Sequence, residues 1–337
     1  MKFKKLGNSG LILSDLTLGT MLYGEESSRS TPPEIAKKQI DFYLDRGGNH
    51  IDTADVYANG RSEEILGQAL LGKRHRTIIA TKVRFPRGQG PNDSGLSRHH
   101  IIQEVHASLR RLSSDYIDIY YMHCWDPITP IEESLRAFDD LLTAGKVRYI
   151  GVSNFKAWQV MKAQGVSELN GYTKFVAGQY QYSLIKRDIE YEFKDLFESE
   201  GIGLLPWGPL GGGFLSGKYR SDQKPTDEGR IATTGEETEE AWKRRDTTQN
   251  WKILEEVQKI AQNREVSSAQ IAIAWLRSQD WVSSVILGAR TFEQLEDNMK
   301  SADINLTLKE QKDLNKASEL PELYPYRMMD VYGQRFL

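Results

Sequence analysis

Four side chains of different acid–base character stand at or just past β-rich runs: Asp52 in NHIDTA (49–54) with Tyr57 shortly after it, Lys82 in TIIATKV (77–83), and His123 after YIDIYYM (116–122). The chemistry such a set suits is protonation of a carbonyl oxygen. A phenol, with an ordinary pKa of about 10, is a poor proton donor near neutrality unless a nearby cation favours the phenolate. Lys82 would supply that cation, and Asp52 would hold the ammonium in place and keep it protonated. His123 would donate a hydrogen bond that turns the carbonyl oxygen toward the phenol. Singly, these residues also have plain structural readings: an Asp as a turn cap, a tyrosine in packing or a surface hydrogen bond, a structural histidine. Only their convergence makes a site.

Convergence requires a fold that gathers strand ends. Eight β-rich runs alternate with helical patterns: residues 16–20, 49–54, 77–83, 116–122, 147–152, 174–180, 202–207 and 283–288. Between them, Ile131, Leu135, Phe138, Leu141 and Leu142 make one apolar stripe, with Thr129, Pro130 and Glu132 as start signals. Similar starts are expected at Thr31 with Glu34, Ser267 with Gln270 and Thr291 with Gln294. Strand then helix, repeated eight times, predicts a parallel sheet. The count, and the lack of G-x-G-x-x-G after the first strand, favour a closed (β/α)8 TIM barrel of the α/β class over an open doubly wound sheet. No linker divides residues 1–337, so a single domain is expected. Asn8-Ser9-Gly10 between KFKKL and LILS predicts an N-terminal β-hairpin that plugs one barrel end. Residues 218–248, charged and poor in apolar side chains, read as a long loop after the seventh strand.

The run GPLGGGFLSGKY (208–219) raises a second question. From Gly212 to Lys218 it fits a nucleotide-binding P-loop, but Tyr219 stands where Ser or Thr would coordinate magnesium. An ATP-binding protein is therefore a competing reading. In a barrel, the loop after the seventh strand commonly receives a phosphate group, and glycines let the backbone approach an anion while Lys218 adds charge. A dinucleotide pyrophosphate needs no magnesium-binding hydroxyl.

The segments HIDTADVYANGRSEEILGQAL, ATK, YIDIYYMH, GKVRYIGVSNF and LLPWGPLGGGFLSGKY occur in this order and resemble those of the aldo-keto reductase superfamily over residues 1 to about 320. The resemblance is nearest to its bacterial-type and potassium-channel-β-like branches. It implies a (β/α)8 barrel that binds a nicotinamide cofactor without a Rossmann domain and interconverts carbonyls and alcohols. By motif position Tyr57 is similar to the family's general acid, Lys82 and Asp52 to the pair that tunes it, and His123 to the carbonyl-orienting residue. The resemblance also implies that Trp207 stacks on the nicotinamide ring and that Ser153, Asn154 and Gln179 hydrogen-bond its carboxamide. Gly19, Thr20 and Met21 are weaker candidates for that end, while Gly208, Pro209, Leu210, Gly213 and Lys218 would meet the pyrophosphate. Gln294, Asp297 and Asn298 resemble adenine and ribose contacts. Arg290, just before the helix start at Thr291, is placed to pair with a phosphate on the adenosine ribose, which favours NADP(H) over NAD(H). Gly288 and Gln294 stand where some relatives carry basic residues, so that preference rests on Arg290. Tyr23, Trp125 and residues 218–248 are expected to shape the substrate pocket, together with Tyr57 and His123.

With 44 Lys+Arg against 47 Asp+Glu and no basic block, nucleic acid is not an expected partner. Polar residues interrupt the N-terminal apolar run, and no stretch would span a bilayer, so a soluble cytoplasmic protein without a membrane partner is expected. The lone Cys124 cannot form an internal disulfide or a cysteine-rich metal site, and no metal is expected. Adjacent strand residues point to opposite faces, so Cys124 and His123 are not expected to form a nucleophilic dyad. The expected ligands are thus a nicotinamide cofactor and a small carbonyl or alcohol. The competing class is an NADP(H)-sensing regulatory subunit whose redox chemistry is incidental.

Overall fold

Leu16–Gly19 pairs in parallel with both His50–Asp52 and Val285–Leu287, so the last strand of the sheet returns beside its first. The computed structural model describes residues 1–26, 30–221, 223, 225, 231 and 235–333. In chain order the strands are β1 (Phe3–Lys5), β2 (Ile12–Ser14), β3 (Leu16–Gly19), β4 (His50–Asp52), β5 (Ile78–Val83), β6 (Ile117–Met122), β7 (Val147–Ser153), β8 (Ala177–Gln181), β9 (Gly203–Trp207) and β10 (Val285–Leu287). Eight of them form one sheet in the order β10-β3-β4-β5-β6-β7-β8-β9. A parallel bridge between Leu204 and Val282, with Leu204 N donating to Trp281 O at 3.1 Å and Ser283 N to Leu204 O at 2.8 Å, brings β9 against the approach to β10 and closes the circle. All eight expected strands are present, and the fold is the single (β/α)8 barrel that the sequence predicts.

The alternation within β6 explains how the barrel is filled. Ile119 and Tyr121 point inward, where they pack with Ala80, Ala177, Leu205 and Ile286. Tyr120 and Met122 point outward into the layer shared with the helices. Both faces are apolar because a parallel strand in this fold is covered on both sides. Helix Ile131–Thr143 buries Ile131, Leu135, Phe138 and Leu141, and Phe138 stacks on Tyr120 with ring centroids 5.1 Å apart.

The predicted hairpin is β1 paired antiparallel with β2, and its Leu6 and Leu13 belong to the interior cluster, closing the end of the barrel where the strands begin. Gly7 (φ +50°) makes that close approach possible. A Cβ there would lie 2.2 Å from Gly201 O.

Two of the four expected caps occur: Ser267 accepts from Gln270 N, and Thr291 forms a capping box with Gln294. The other two are corrected. Pro32 and Pro130 occupy the cap positions of helices Pro33–Asp45 and Ile131–Thr143 and provide no side-chain cap. Thr31 and Thr129 therefore fall one residue too early, and their hydroxyls donate instead to Arg290 O (3.1 Å) and Asp126 Oδ2 (2.6 Å).

At the strand-start end, Arg277 donates through Nε (2.9 Å) and Nη2 (2.5 Å) to Asp15 Oδ2, and also to the carbonyls of Ser301 and Ala302. Asp15 Oδ1 accepts from Lys2 N at 3.0 Å, so the pair ties the hairpin to the C-terminal helices. Arg277→Ala leaves a buried carboxylate without its partner, and we expect a loss of about 3–5 kcal/mol in urea unfolding. A loss below about 1 kcal/mol would show that the pair is dispensable.

Candidate active site

Asp52 ends β4, Lys82 lies near the end of β5, and His123 directly follows β6, its N–H extending the ladder to Val83 O at 3.0 Å. Parallel strands in register bring these ends to one rim. Lys82 Nζ lies 2.6 Å from Asp52 Oδ1 and 2.6 Å from Thr53 O, and it donates to Tyr57 Oη at 3.3 Å. The Tyr57 and His123 rings meet edge to face with centroids 6.1 Å apart. The four residues gathered from distant parts of the sequence therefore meet.

Their surroundings set their charges. Lys82 is fully buried, which by itself lowers its pKa, but Asp52 and Tyr57 outweigh burial and hold the ammonium above its usual value. Burial pushes the Asp52 carboxyl up, against the opposing pull of Lys82 and of the Gln179 amide, which donates to Asp52 Oδ2 at 2.7 Å. For His123, burial first and then Lys82 and Arg84 hold the imidazole well below its ordinary pKa, so the ring is neutral near pH 7. A neutral imidazole can still donate one N–H. Below the site, burial and then Lys82 pull His50 down to about 3.

These groups line a cleft of about 1030 Å³ at the C-terminal ends of the strands, where barrel sites form. Lys82 lies behind Tyr57 rather than in the cleft wall. Gly19, Thr20 and Met21 line the cleft beside Asp52, and the Thr20 hydroxyl donates to Asp52 O at 3.0 Å. Ser153, Asn154, Gln179 and Trp207 line it at the ends of β7, β8 and β9. Ser153 Oγ donates to Gln179 O (2.7 Å), and Asn154 Nδ2 donates to both Ser153 Oγ and His123 O (2.9 Å each). Both of these Asn154 bonds run through nitrogen, so its amide oxygen is presented as an acceptor.

Gly208, Pro209, Leu210, Gly213 and Lys218 continue the wall, followed by Gly288, Arg290, Gln294, Asp297 and Asn298. Gly208, Gly211, Gly212, Gly213 and Gly217 all have positive φ, a conformation that side chains disfavour and that lets successive backbone groups curve around a ligand. Tyr219 is buried and packs toward Trp242, and only the short 3₁₀ turn Phe214–Ser216 lies inside the run. Tyr219 stands in place of the magnesium hydroxyl, and among the described residues no helix starts at Lys218 as a P-loop requires, so the run does not fit the ATP reading. Among the described residues no group of His, Cys, Asp or Glu side chains is placed to hold a metal ion.

Residues 15–319 match the model of the aldo/keto reductase family. The chain belongs to that family. It is 39% identical over 308 residues to a probable voltage-gated potassium channel subunit beta of Arabidopsis thaliana, covering 90% of this chain and 92% of that one. It is 34% identical over 344 residues to an uncharacterized oxidoreductase of Bacillus subtilis (97% and 100%) and 33% identical over 335 residues to a versiconal hemiacetal acetate reductase of Aspergillus parasiticus (92% and 95%). An oxidoreductase fits both the family and these relatives.

The aldo/keto reductase family generally uses NAD(P)H, and the residues here fit such a group. The cleft offers Lys218 and Arg290 as cations, glycines for close backbone approach, and Trp207 with the Asn154 oxygen at the end near Tyr57. Two adenosine-side candidates already serve the protein. Gln294 Oε1 accepts from Arg290 N at 2.9 Å, and Asp297 accepts from Ser267 Oγ and Gln270 Nε2 at 2.6 Å each.

Two substrate-pocket expectations are corrected. Tyr23 is buried and donates to Gln39 Oε1 at 2.9 Å, so it belongs to the core. Trp125 packs edge-on against Phe155 at 5.1 Å and is not part of the cleft wall. Their positions after strands resembled rim positions, but side-chain direction was set by the packing behind the rim. Of residues 218–248, Lys218 and Glu240 line the cleft, while 222, 224, 226–230 and 232–234 lie outside the described residues. Among the lining residues that sequence reasoning missed are Val56, Phe85 and Glu293, with Leu22, Ser216, Ala269 and Ile286. Phe85, three residues past Lys82 and edge-on to His123 at 4.7 Å, could have been found by extending the rim search. Cys124 Sγ donates to Asn154 O at 3.7 Å. No described helix is long and apolar enough to cross a membrane.

His50 and His123 both bind protons less readily in the folded chain than in the unfolded one. Stability is therefore undiminished by them above about pH 6.5 and declines as pH falls toward their folded values. Nitrogen NMR should find both rings neutral at about pH 5.5, with urea stability already falling between about pH 6.5 and about pH 5.5. Ordinary titration of either ring near pH 6.5 would contradict this.

Proposed function

We propose that this protein reduces aldehydes or ketones to alcohols with NADP(H), with Tyr57 as proton donor. The observation that carries this reading is the Tyr57 hydroxyl 3.3 Å from a buried ammonium that Asp52 holds at 2.6 Å. The reduced cofactor, when bound, supplies the hydride.

Asp52, Thr53 O and Gln179 fix the Lys82 ammonium and its carboxylate partner. The ammonium favours the phenolate, so Tyr57 gives up its proton more readily as negative charge develops on the carbonyl oxygen. Neutral His123 donates a hydrogen bond to that oxygen and orients it toward the phenol. Asn154 accepts from a carboxamide, Trp207 offers a flat face for a ring, and the glycines with Lys218 receive a pyrophosphate. Arg290 pairs with a phosphate on the adenosine ribose. Val56 and Phe85 give the substrate end an apolar side, which suits a partly apolar carbonyl compound.

A second reading, a cofactor-sensing subunit with incidental redox activity, is favoured by the similarity to a potassium channel subunit beta. Many turnovers per protein molecule favour the enzyme, whereas one oxidation of tightly held NADPH favours the sensor.

Tyr57→Phe should lower carbonyl reduction at least about 100-fold while NADPH binding, followed by fluorescence, stays nearly intact. Undiminished turnover would sink the assigned role. For Arg290→Ala we expect NADPH binding about 10-fold weaker or more, with little change for NADH. Equal losses for both cofactors would refute the contact to the ribose phosphate.

A further inference from the structure

Tyr57 opens the turn Tyr57–Gly60, in which Ala58 (φ 46°), Asn59 (φ 52°) and Gly60 (φ 88°) are all left-handed. Two successive non-glycine residues in that region are strained, and such a turn persists only where its surroundings over-determine it. Two arginines from elsewhere supply those surroundings. Arg87, beyond β5, donates through Nη1 to Asn59 Oδ1 at 2.7 Å. Arg111, at the end of helix Arg98–Arg111, lies against Gly60, where a Cβ would come 2.8 Å from Arg111 Cδ and 3.0 Å from Arg87 Nη2.

Buried carboxylates hold Arg111 by hydrogen bonds and lie within ion-pair distance of Arg87. Glu104 Oε2 lies 3.7 Å from Arg87 Nε and 3.4 Å from Arg111 Nη2, and Arg111 Nε donates to Glu63 Oε2 at 2.6 Å. The other Glu63 oxygen accepts from Thr81 Oγ1 at 2.6 Å, and Thr81 immediately precedes Lys82. One network thus joins the turn that carries the phenol to the strand that carries the ammonium. Asp55, buried beside it, has its carboxyl pushed well above the usual range by burial and then by Glu63 and Glu104. Around the turn, the carboxylates of Glu63 and Glu104 face the guanidiniums of Arg87 and Arg111.

We propose that Arg87 and Asn59 are positioning residues for Tyr57: their hydrogen bond, braced by Glu104, Arg111 and Glu63, latches the left-handed turn and keeps the phenol oxygen within reach of Lys82. The inference rests on Tyr57 being the proton donor. Neither residue is assigned a contact with the reacting atoms, so loosening the latch misaims the phenol without removing a ligand contact. Its effect belongs in kcat.

The test uses the full chain with Arg87→Ala, Asn59→Gly and Asn59→Asp, and Tyr57→Phe alongside. Asn59→Gly keeps the left-handed conformation accessible but removes the acceptor, and it carries the test if Arg87→Ala fails to fold. Asn59→Asp keeps an acceptor for the guanidinium and should rescue. We expect Arg87→Ala and Asn59→Gly to lower kcat about 10-fold, with KM and NADPH affinity within about twofold of the parent and Asn59→Asp near the parent kcat. A parent-like kcat in Asn59→Gly, an equal loss in Asn59→Asp, or a loss confined to KM overturns the latch. If Tyr57→Phe turns over normally, the proton-donor reading falls and takes the latch with it. If Tyr57→Phe is inactive while Asn59→Gly is normal, the latch alone falls.

Discussion

The ammonium of Lys82 has no access to solvent, and its charge is tolerable only because Asp52 lies 2.6 Å away and Thr53 O accepts a second hydrogen bond. Removing one member of such a pair usually costs about 3–5 kcal/mol, because the other charge is left buried and alone. Much of the neighbouring structure holds this pair in place. Gln179 and Thr20 bind Asp52 from two sides, through its carboxylate and its carbonyl, and the barrel interior below is closed by Tyr121 and the hairpin leucines. The same positive charge favours the Tyr57 phenolate and disfavours a proton on His123 and on His50. One buried cation thus adds to burial in setting the proton chemistry of its surroundings.

The barrel is what lets a single charge act on residues so far apart in the chain. Parallel strands end at a common rim, and each contributes a side chain that needs no motif partner nearby in sequence. β4 brings Asp52, β5 brings Lys82, β6 delivers His123, and β7 to β9 bring Ser153, Gln179 and Trp207. The loops add what strands cannot. The glycines after β9 adopt left-handed conformations that curve the backbone along the cleft, and the capped helix start at Thr291 sets Arg290 at its far wall.

Where sequence reasoning missed, the cause was direction rather than composition. Thr31 and Thr129 had the right types for helix caps, but the prolines after them took the cap positions, and their hydroxyls turned to other partners. Tyr23 and Trp125 follow strands as rim residues do, yet one reaches back to Gln39 and the other lies against Phe155. Val56 carries no sequence signal because an apolar residue near a strand end looks the same whether it lines a cleft or fills a core, and Phe85 is legible only by its place three residues past Lys82.

By itself the sequence determined the barrel, because eight apolar runs of strand length separated by amphipathic helices leave few ways to bury both faces of a parallel sheet. It also named the four polar groups at the rim, since their chemical types are unusual in such runs. Only the tertiary structure decided that Lys82 lies behind Tyr57 with its charge on Asp52, and that a strained turn under two arginines carries the phenol. Distances and burial of this kind arise from packing between segments remote in the chain, and no local pattern encodes them.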